Sequence, residues 1–276
     1  MLSANHLSIA GRHHVLVPAT TLEAHPGQVL LVQADGQEGR TALSLALAGR
    51  MKPSGGSVAL GHDHATAALR KRSDIIGSPG VSAPENHLTV RSLVSEDLAL
   101  VPFKFRDRTR PAAWLVEHGF RDSLDKRVEE LDAVRLLHLQ LELAQANRDV
   151  DLLVVDSPDR HTTETGRWLS LLELAAAGRL GRGTRLNAVT DERRLILVGV
   201  VARIPDGWMG PTAVAGRSAE QAVAPAESPD IMAEEPEKTP DTPAAEPHET
   251  PRSPQARSPE EAQSPEPETT EGEDMQ

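Results

Sequence analysis

The chain has 276 residues, 38% hydrophobic and 25% charged, enough for one sizeable core and too polar overall for a membrane-embedded protein. Its formal charge of −12 is localised: residues 217–276 hold 16 acidic and 4 basic residues, so that segment carries the whole excess and residues 1–216 are formally neutral. A neutral body with only 2% aromatic residues and no Arg/Lys stripe gives no electrostatic or stacking footprint for nucleic acid, and the absence of cysteine excludes disulfides, thiolate nucleophiles and Cys-based metal centres. No uninterrupted apolar run of about 18 residues occurs, and the opening MLSANHLSIAG lacks the pattern of an export signal. A cytoplasmic chain that does not itself cross a membrane is expected.

In chain order, residues 2–17 read as two strand-like pieces joined at Gly11-Arg12. QVLLVQ at 28–33, preceded by Pro26-Gly27, reads as a buried strand. A Gly-containing loop follows, and from Thr41 the run TALSLALAG places Leu43, Leu47 and small Ala residues on one helical face, stopping at Gly49 with Pro53 beyond. SVALG at 57–61 is a short strand that, with the N-terminal pieces, suggests a small antiparallel layer. Between 124 and 144 the apolar positions Leu124, Val128, Leu131, Val134, Leu137, Leu141 and Ala144 recur at steps of three and four, which predicts one amphipathic helix. DLLVVDS at 151–157 predicts a central parallel strand ending in an acid, followed by a helix over 165–177 and strands near 185–190 and 195–202. This alternation argues for an α/β fold with a mostly parallel sheet.

Residues 205–216 are expected to be a linker. Beyond it, 217–276 holds 11 of the 21 prolines and too little apolar surface to offset the entropy of ordering, so a disordered acidic tail is predicted. Its seven Ser-Pro or Thr-Pro pairs, from Ser228 to Ser264, are read as a by-product of composition in preference to a phosphorylation switch.

The loop after the 28–33 strand is Ala34-Asp35-Gly36-Gln37-Glu38-Gly39-Arg40-Thr41, which fits the phosphate-binding pattern G-x-x-x-x-G-K-[ST] except for Ala at the first Gly and Arg at the Lys. That chemistry wants glycines so that backbone N–H groups can wrap phosphate, a cation for the β/γ-phosphates, and a hydroxyl on Mg²⁺. Around it stand Pro26-Gly27-Gln28-Val29, Ala48-Gly49-Arg50, Pro53-Ser54-Gly55-Gly56-Ser57-Val58, Leu88-Thr89-Val90 and Leu152-Leu153-Val154-Val155-Asp156-Ser157-Pro158. In order and spacing these resemble the landmarks of the nucleotide-binding subunits of ABC transporters over residues 1–204. The resemblance implies a P-loop domain of ABC type with a reduced helical subdomain around 100–145, ATP and Mg as cofactors, and a membrane permease subunit or paired ABC ATPase as partner, in a homo- or heterodimer at the inner face of the membrane. Asp35, Gly36, Gly39, Arg40, Thr41 and Ala42 would then line the nucleotide, with Thr41 and Asp156 on the metal.

Where the family's chemistry requires particular residues, the chain departs from the pattern. Arg40 stands for the Walker A lysine, cationic but planar and longer. Ser157 stands for the catalytic glutamate and supplies no carboxylate base. Leu131-Asp132-Ala133-Val134-Arg135 aligns with the signature L-S-G-G-Q, Ser78-Pro79-Gly80 lacks the Q-loop glutamine, and Asp191 takes the place of the switch histidine. No aromatic near Ala10-Gly11 is available to stack on adenine. His13-His14 and His62-Asp63-His64 lack further convergent ligands, so no protein-built metal site is assigned. Trp114, Trp168 and Trp208 are too dispersed to form a binding box. A degenerate ATP-binding subunit with weak or no hydrolysis is therefore expected. A scaffold that binds no nucleotide, on which Ala34, Gln37, Arg40 and Ser157 bear, and an ATPase completed in trans by a partner remain alternatives.

Overall fold

A computed structural model describes residues 1–106, 108–160, 162, 164–180 and 193–217. All of these lie in one compact unit, Met1–Ala226; the other unit, Glu227–Gln276, falls outside the described residues, as does the strand expected near 185–190.

The antiparallel layer forms from β1 (Leu2–Ala10), β2 (Val15–Ala24) and β4 (Gly55–Leu60), in the order β2-β1-β4. The second sheet combines β3 (Val29–Gln33), β5 (Ser73–Ile76), β6 (Leu152–Asp156), β7 (Ile196–Val201) and β8 (Thr212–Val214), in the order β5-β6-β7-β3-β8 with every pair parallel. β6 and β7 are buried along their whole length, which is why they read as continuous apolar runs. Period two divides their side chains between the faces. Leu152, Val154, Ile196, Val198 and Val200 join a core with the antiparallel layer and α1 (Gln37–Leu47). Leu153, Val155, Leu197 and Val201 join a second core with α5 (Ala133–Ala146) and α6 (Thr165–Ala176), where Trp168 is fully buried.

A third core belongs to the helical subdomain. It is built by α3 (Val90–Leu100), α4 (Pro111–Glu117) and α5, around Trp114, Leu115 and Phe120. Each helix starts on a readable device. Thr89 accepts the Ser92 N–H at 3.1 Å, Pro111 occupies the first turn of α4, and Asp132 accepts the Val134 N–H at 3.2 Å. The short α2 (Thr66–Lys71) leads into β5.

Three expectations are corrected. The single helix over 124–144 is instead one 3₁₀ turn, Val128–Glu130, followed by α5. Leu131 is extended and Asp132 caps a new helix, so the three-and-four spacing upstream reflects residues turned into the third core without a continuous helix. The stretch 205–216 is not a bare linker, because β8 pairs with β3 through Leu31↔Thr212, Val32↔Ala213 and Gln33↔Val214. The helical subdomain also begins earlier than 100, with α3 starting at Val90.

At Gly49 the reading holds in detail. The N–H of Gly49 donates to Ala46 and that of Arg50 to Leu45, the paired bonds of a left-handed helix stop, with Gly49 at φ +66°. No described helix is long and apolar enough to cross a membrane.

Candidate functional site

β3 and β6 lie on either side of β7, so the loop after β3 and the acid at the end of β6 meet above the C-terminal edge of the sheet. Only Ala34, Asp35 and Gly36 separate β3 from α1, which begins at Gln37, four residues before the expected start. Gly36 adopts φ +64°, ψ 145°, a conformation in practice restricted to glycine. Gly39 is needed for contact: a Cβ there would sit 2.7 Å from the Leu16 carbonyl oxygen of β2. The Arg40 N–H already donates to the Gly36 carbonyl at 3.1 Å, as the first bond of the helix. Helix geometry leaves the N–H groups of Gln37, Glu38 and Gly39 without intrahelical acceptors, and no side chain caps them. Asp35 is exposed, while Ala42 is buried in the first core.

The acid at the centre is saturated. Asp156, 2% exposed, accepts at Oδ2 from Thr41 Oγ1 at 2.7 Å and Ser78 Oγ at 2.9 Å, and at Oδ1 from Gln37 Nε2 at 3.2 Å and Ser157 Oγ at 2.8 Å. Four donors use the roughly four lone-pair positions of a carboxylate. The other end of Gln37 faces Arg40, whose Nη2 donates to Oε1 at 3.1 Å, while its Nη1 donates to the Ala34 carbonyl at 3.2 Å and its Nε to Ser157 Oγ at 2.9 Å. Ser157 is held by its N–H on the Val200 carbonyl at 2.8 Å and adopts φ +52°, unusual for a residue with a side chain. The structure thus brings Arg40, Thr41, Asp156 and Ser157 into one hydrogen-bonded network. It adds Gln37 and Ser78 as full members of the network.

Beyond Ser157 a cavity of about 510 Å³ opens between β6 and α5, with Val134, Leu137, Asp156 and Trp168 among its lining residues. The stretch aligned with the signature lies at its border. There Asp132 caps α5 and accepts from Arg167 Nη2 at 2.9 Å, and Arg135 donates to Asp122 at 2.7 Å. These residues are occupied in fastening the start of α5. Asp191 lies outside the described residues. Trp114 stacks on His118, with ring centroids 3.9 Å apart, and Trp168 packs in the second core, so both serve packing. Among the described residues no group of three His, Cys, Asp or Glu side chains is arranged to hold a metal ion.

No protein-family model matches the sequence, and no curated protein matches it. Solved structures do. A protein from Pyrococcus furiosus described as an ABC transporter ATP-binding protein is 14% identical over 78% of this chain and 96% of its own, with a TM-score of 0.55. The fold is that of an ATP-binding cassette. A bacterial ABC transporter cassette solved as a dimer is 15% identical, covering 74% of this chain and 88% of its own with a TM-score of 0.51. Its post-hydrolysis form with ADP and Pi is 14% identical at the same coverage and TM-score.

Against that fold the two ligands a cassette implies can be tested on the side chains. For Mg²⁺ the expected pair, Thr41 and Asp156, is present and adjacent, but the pair is closed on itself and on Gln37, Ser78 and Ser157. As arranged, it does not fit a cation. For phosphate, the N-terminus of α1 supplies free N–H groups, while three donor contacts of Arg40 already point at protein acceptors.

Proposed function

We propose that the chain is an ATP-binding-cassette subunit that does not hydrolyse ATP and works beside a partner, either a membrane permease subunit or a second cassette. The fold and the likeness to a cassette solved as a dimer support the subunit role. The observation that carries the loss of hydrolysis is Ser157. At the end of β6 its hydroxyl donates to Asp156 and accepts from Arg40, so nothing there can draw a proton from an attacking water. Substitution by glutamate would not repair this simply, because a carboxylate at 157 would face the Arg40 guanidinium and pair with it.

Phosphate release by the full chain in millimolar MgATP tests this directly. The expected result is no turnover above the blank, for the chain and for Ser157→Glu. Turnover that disappears on Asp156→Ala would overturn the reading. A second reading, a scaffold that binds no nucleotide, is favoured by the saturation of Asp156. Calorimetric titration with MgATP and MgADP separates the two, since the subunit reading expects weak heat that Arg40→Ala abolishes and the scaffold reading expects none.

A further inference from the structure

We infer that the Gln37 side chain is a built-in substitute for the magnesium ion and holds the pocket closed against a divalent cation. The inference rests on reading this pocket as one of nucleotide type. Three observations carry it.

First, the Gln37 amide nitrogen lies 3.2 Å from Thr41 Oγ1 and 3.2 Å from Asp156 Oδ1, bridging the two side chains that would support the cation. A side-chain amide nitrogen carries two hydrogens, and here each has an acceptor. Second, the amide cannot turn away freely. Its oxygen accepts from Arg40 Nη2 at 3.1 Å and faces Ser157 Oγ at 3.3 Å, so reversing the amide would set donor against donor at Arg40. Third, the placement follows from where α1 begins. Because the helix starts at Gln37, residue 41 stands one turn further along the same face, and the side chain reaches across to β6.

The buried carboxylate is thereby hydrogen-bonded on both oxygens by side chains of the protein itself. Thr41, Ser78, Ser157 and Gln37 all direct hydrogens at Asp156, and the guanidinium of Arg40 stands behind Gln37 and Ser157. A cation entering between Thr41 and Asp156 would have to expel the Gln37 amide, and the released amide oxygen would leave Arg40 Nη2 without its acceptor. Any nucleotide contact made by the native chain is accordingly independent of magnesium.

Two substitutions on the full chain test this, with Mg²⁺ alone and MgADP as probes and thermal unfolding and calorimetry as readouts. Gln37→Glu replaces the amide nitrogen by an oxygen that would sit about as close to Asp156, turning a donor into a second anion beside the first. Without Mg²⁺ this variant melts below the native chain. With Mg²⁺ its midpoint rises by about 3–6 °C at a tenfold excess over Kd, saturably, where sodium at equal ionic strength does not act. Gln37→Ala frees Thr41 and Asp156 and should bind MgADP about tenfold more tightly than the native chain, or as a new event where the native chain gives no heat. The native midpoint does not respond to Mg²⁺.

A native chain stabilised by Mg²⁺, or a Gln37→Glu chain that Mg²⁺ leaves unchanged, would overturn the inference while leaving the non-hydrolysing reading in place. Where Gln37→Ala gives no cooperative melt, the magnesium response of Gln37→Glu decides. If Gln37→Ala gains binding and also turns over ATP, the substitute role stands and Ser157 is not what prevents hydrolysis in the native chain.

Discussion

Replacing Asp156 by asparagine distinguishes a carboxylate kept for a ligand from one that holds the fold together. An acid awaiting a cation is a buried charge whose removal leaves the ligand-free chain as stable as before or more so. Asp156 instead accepts four hydrogen bonds from Thr41, Ser78, Gln37 and Ser157, which tie α1, the turn after β5 and the end of β6 together. Asparagine keeps one acceptor oxygen and turns an NH₂ toward two former donors, so two bonds to a charged acceptor are lost, worth about 1.5–3 kcal/mol each by deletion. Thr41 and Ser78 can rotate their hydroxyls to accept from the new amide, which recovers part of that loss. The net expectation is about 2–3 kcal/mol. With roughly 200 residues in the folded unit this lowers the melting midpoint by about 5–10 °C. Urea unfolding of the full chain, followed by tryptophan fluorescence in the presence of a chelator, measures it directly, with an unchanged slope confirming that the folded state is otherwise the same. An unchanged or raised midpoint would refute the view that this network is structural.

Other substitutions probe separate parts. Gly49→Ala should destabilise by about 2–4 kcal/mol, because φ is +66° and the new Cβ would lie 2.7 Å from both the Leu69 Cβ and the Thr66 carbonyl oxygen; denaturant titration reads this. Burial, assisted by Asp74 and Glu96, raises the Asp97 carboxyl to about 6. Since its folded value exceeds its unfolded one, its contribution to stability is complete below pH 3.8 and falls away as the pH rises through 6, so Asp97→Asn should gain about 1–2 kcal/mol over the native chain at pH 8 and little at pH 4. Glu142 shows the opposite sign. Burial pushes its carboxyl up, but the hydrogen bond from His118 and the approach of His138 to within 3.4 Å outweigh burial and hold it below its ordinary value. Its contribution is present above the unfolded value of 4.5 and is lost as the pH falls below it, so Glu142→Gln should flatten the acid limb of a stability-against-pH curve and lower the plateau at neutral pH.

The parts of the fold legible from sequence were those with a single strong period or a decisive breaker. β6 and β7 announced themselves as apolar runs because both faces are covered, and Gly49 marked the end of α1 because its neighbours leave no room for a side chain. β5, with four residues, is too short to show a period, although α3 and α4 carried usable signals in Thr89 and Pro111. The stretch 124–144 misled because steps of three and four also arise when separate turns point inward to one core; Asp132, a capping residue in the middle of the run, marked the true start. In the site, Arg40 and Thr41 could be placed from the loop pattern, and Asp156 and Ser157 from the resemblance of residues 152–158 to the family's landmark. Gln37 could be seen only as a departure, because its role depends on α1 starting three residues before Arg40. Ser78 reaches Asp156 across 78 positions of chain, a contact created by the pairing of β5 with β6 and invisible to local pattern.

β8 contributes three residues, yet it covers the side of β3 that β7 leaves open, with the Leu31 N–H donating to the Pro211 carbonyl at 3.1 Å and the Ala215 N–H to the Gln33 carbonyl at 2.9 Å. Its removal would bare the backbone of a mostly apolar strand along an unprotected margin, the geometry from which neighbouring molecules recruit one another into aggregates. A protease cut or an engineered truncation after residue 204 would therefore yield a sticky product, whereas one placed after 217 would spare the seal.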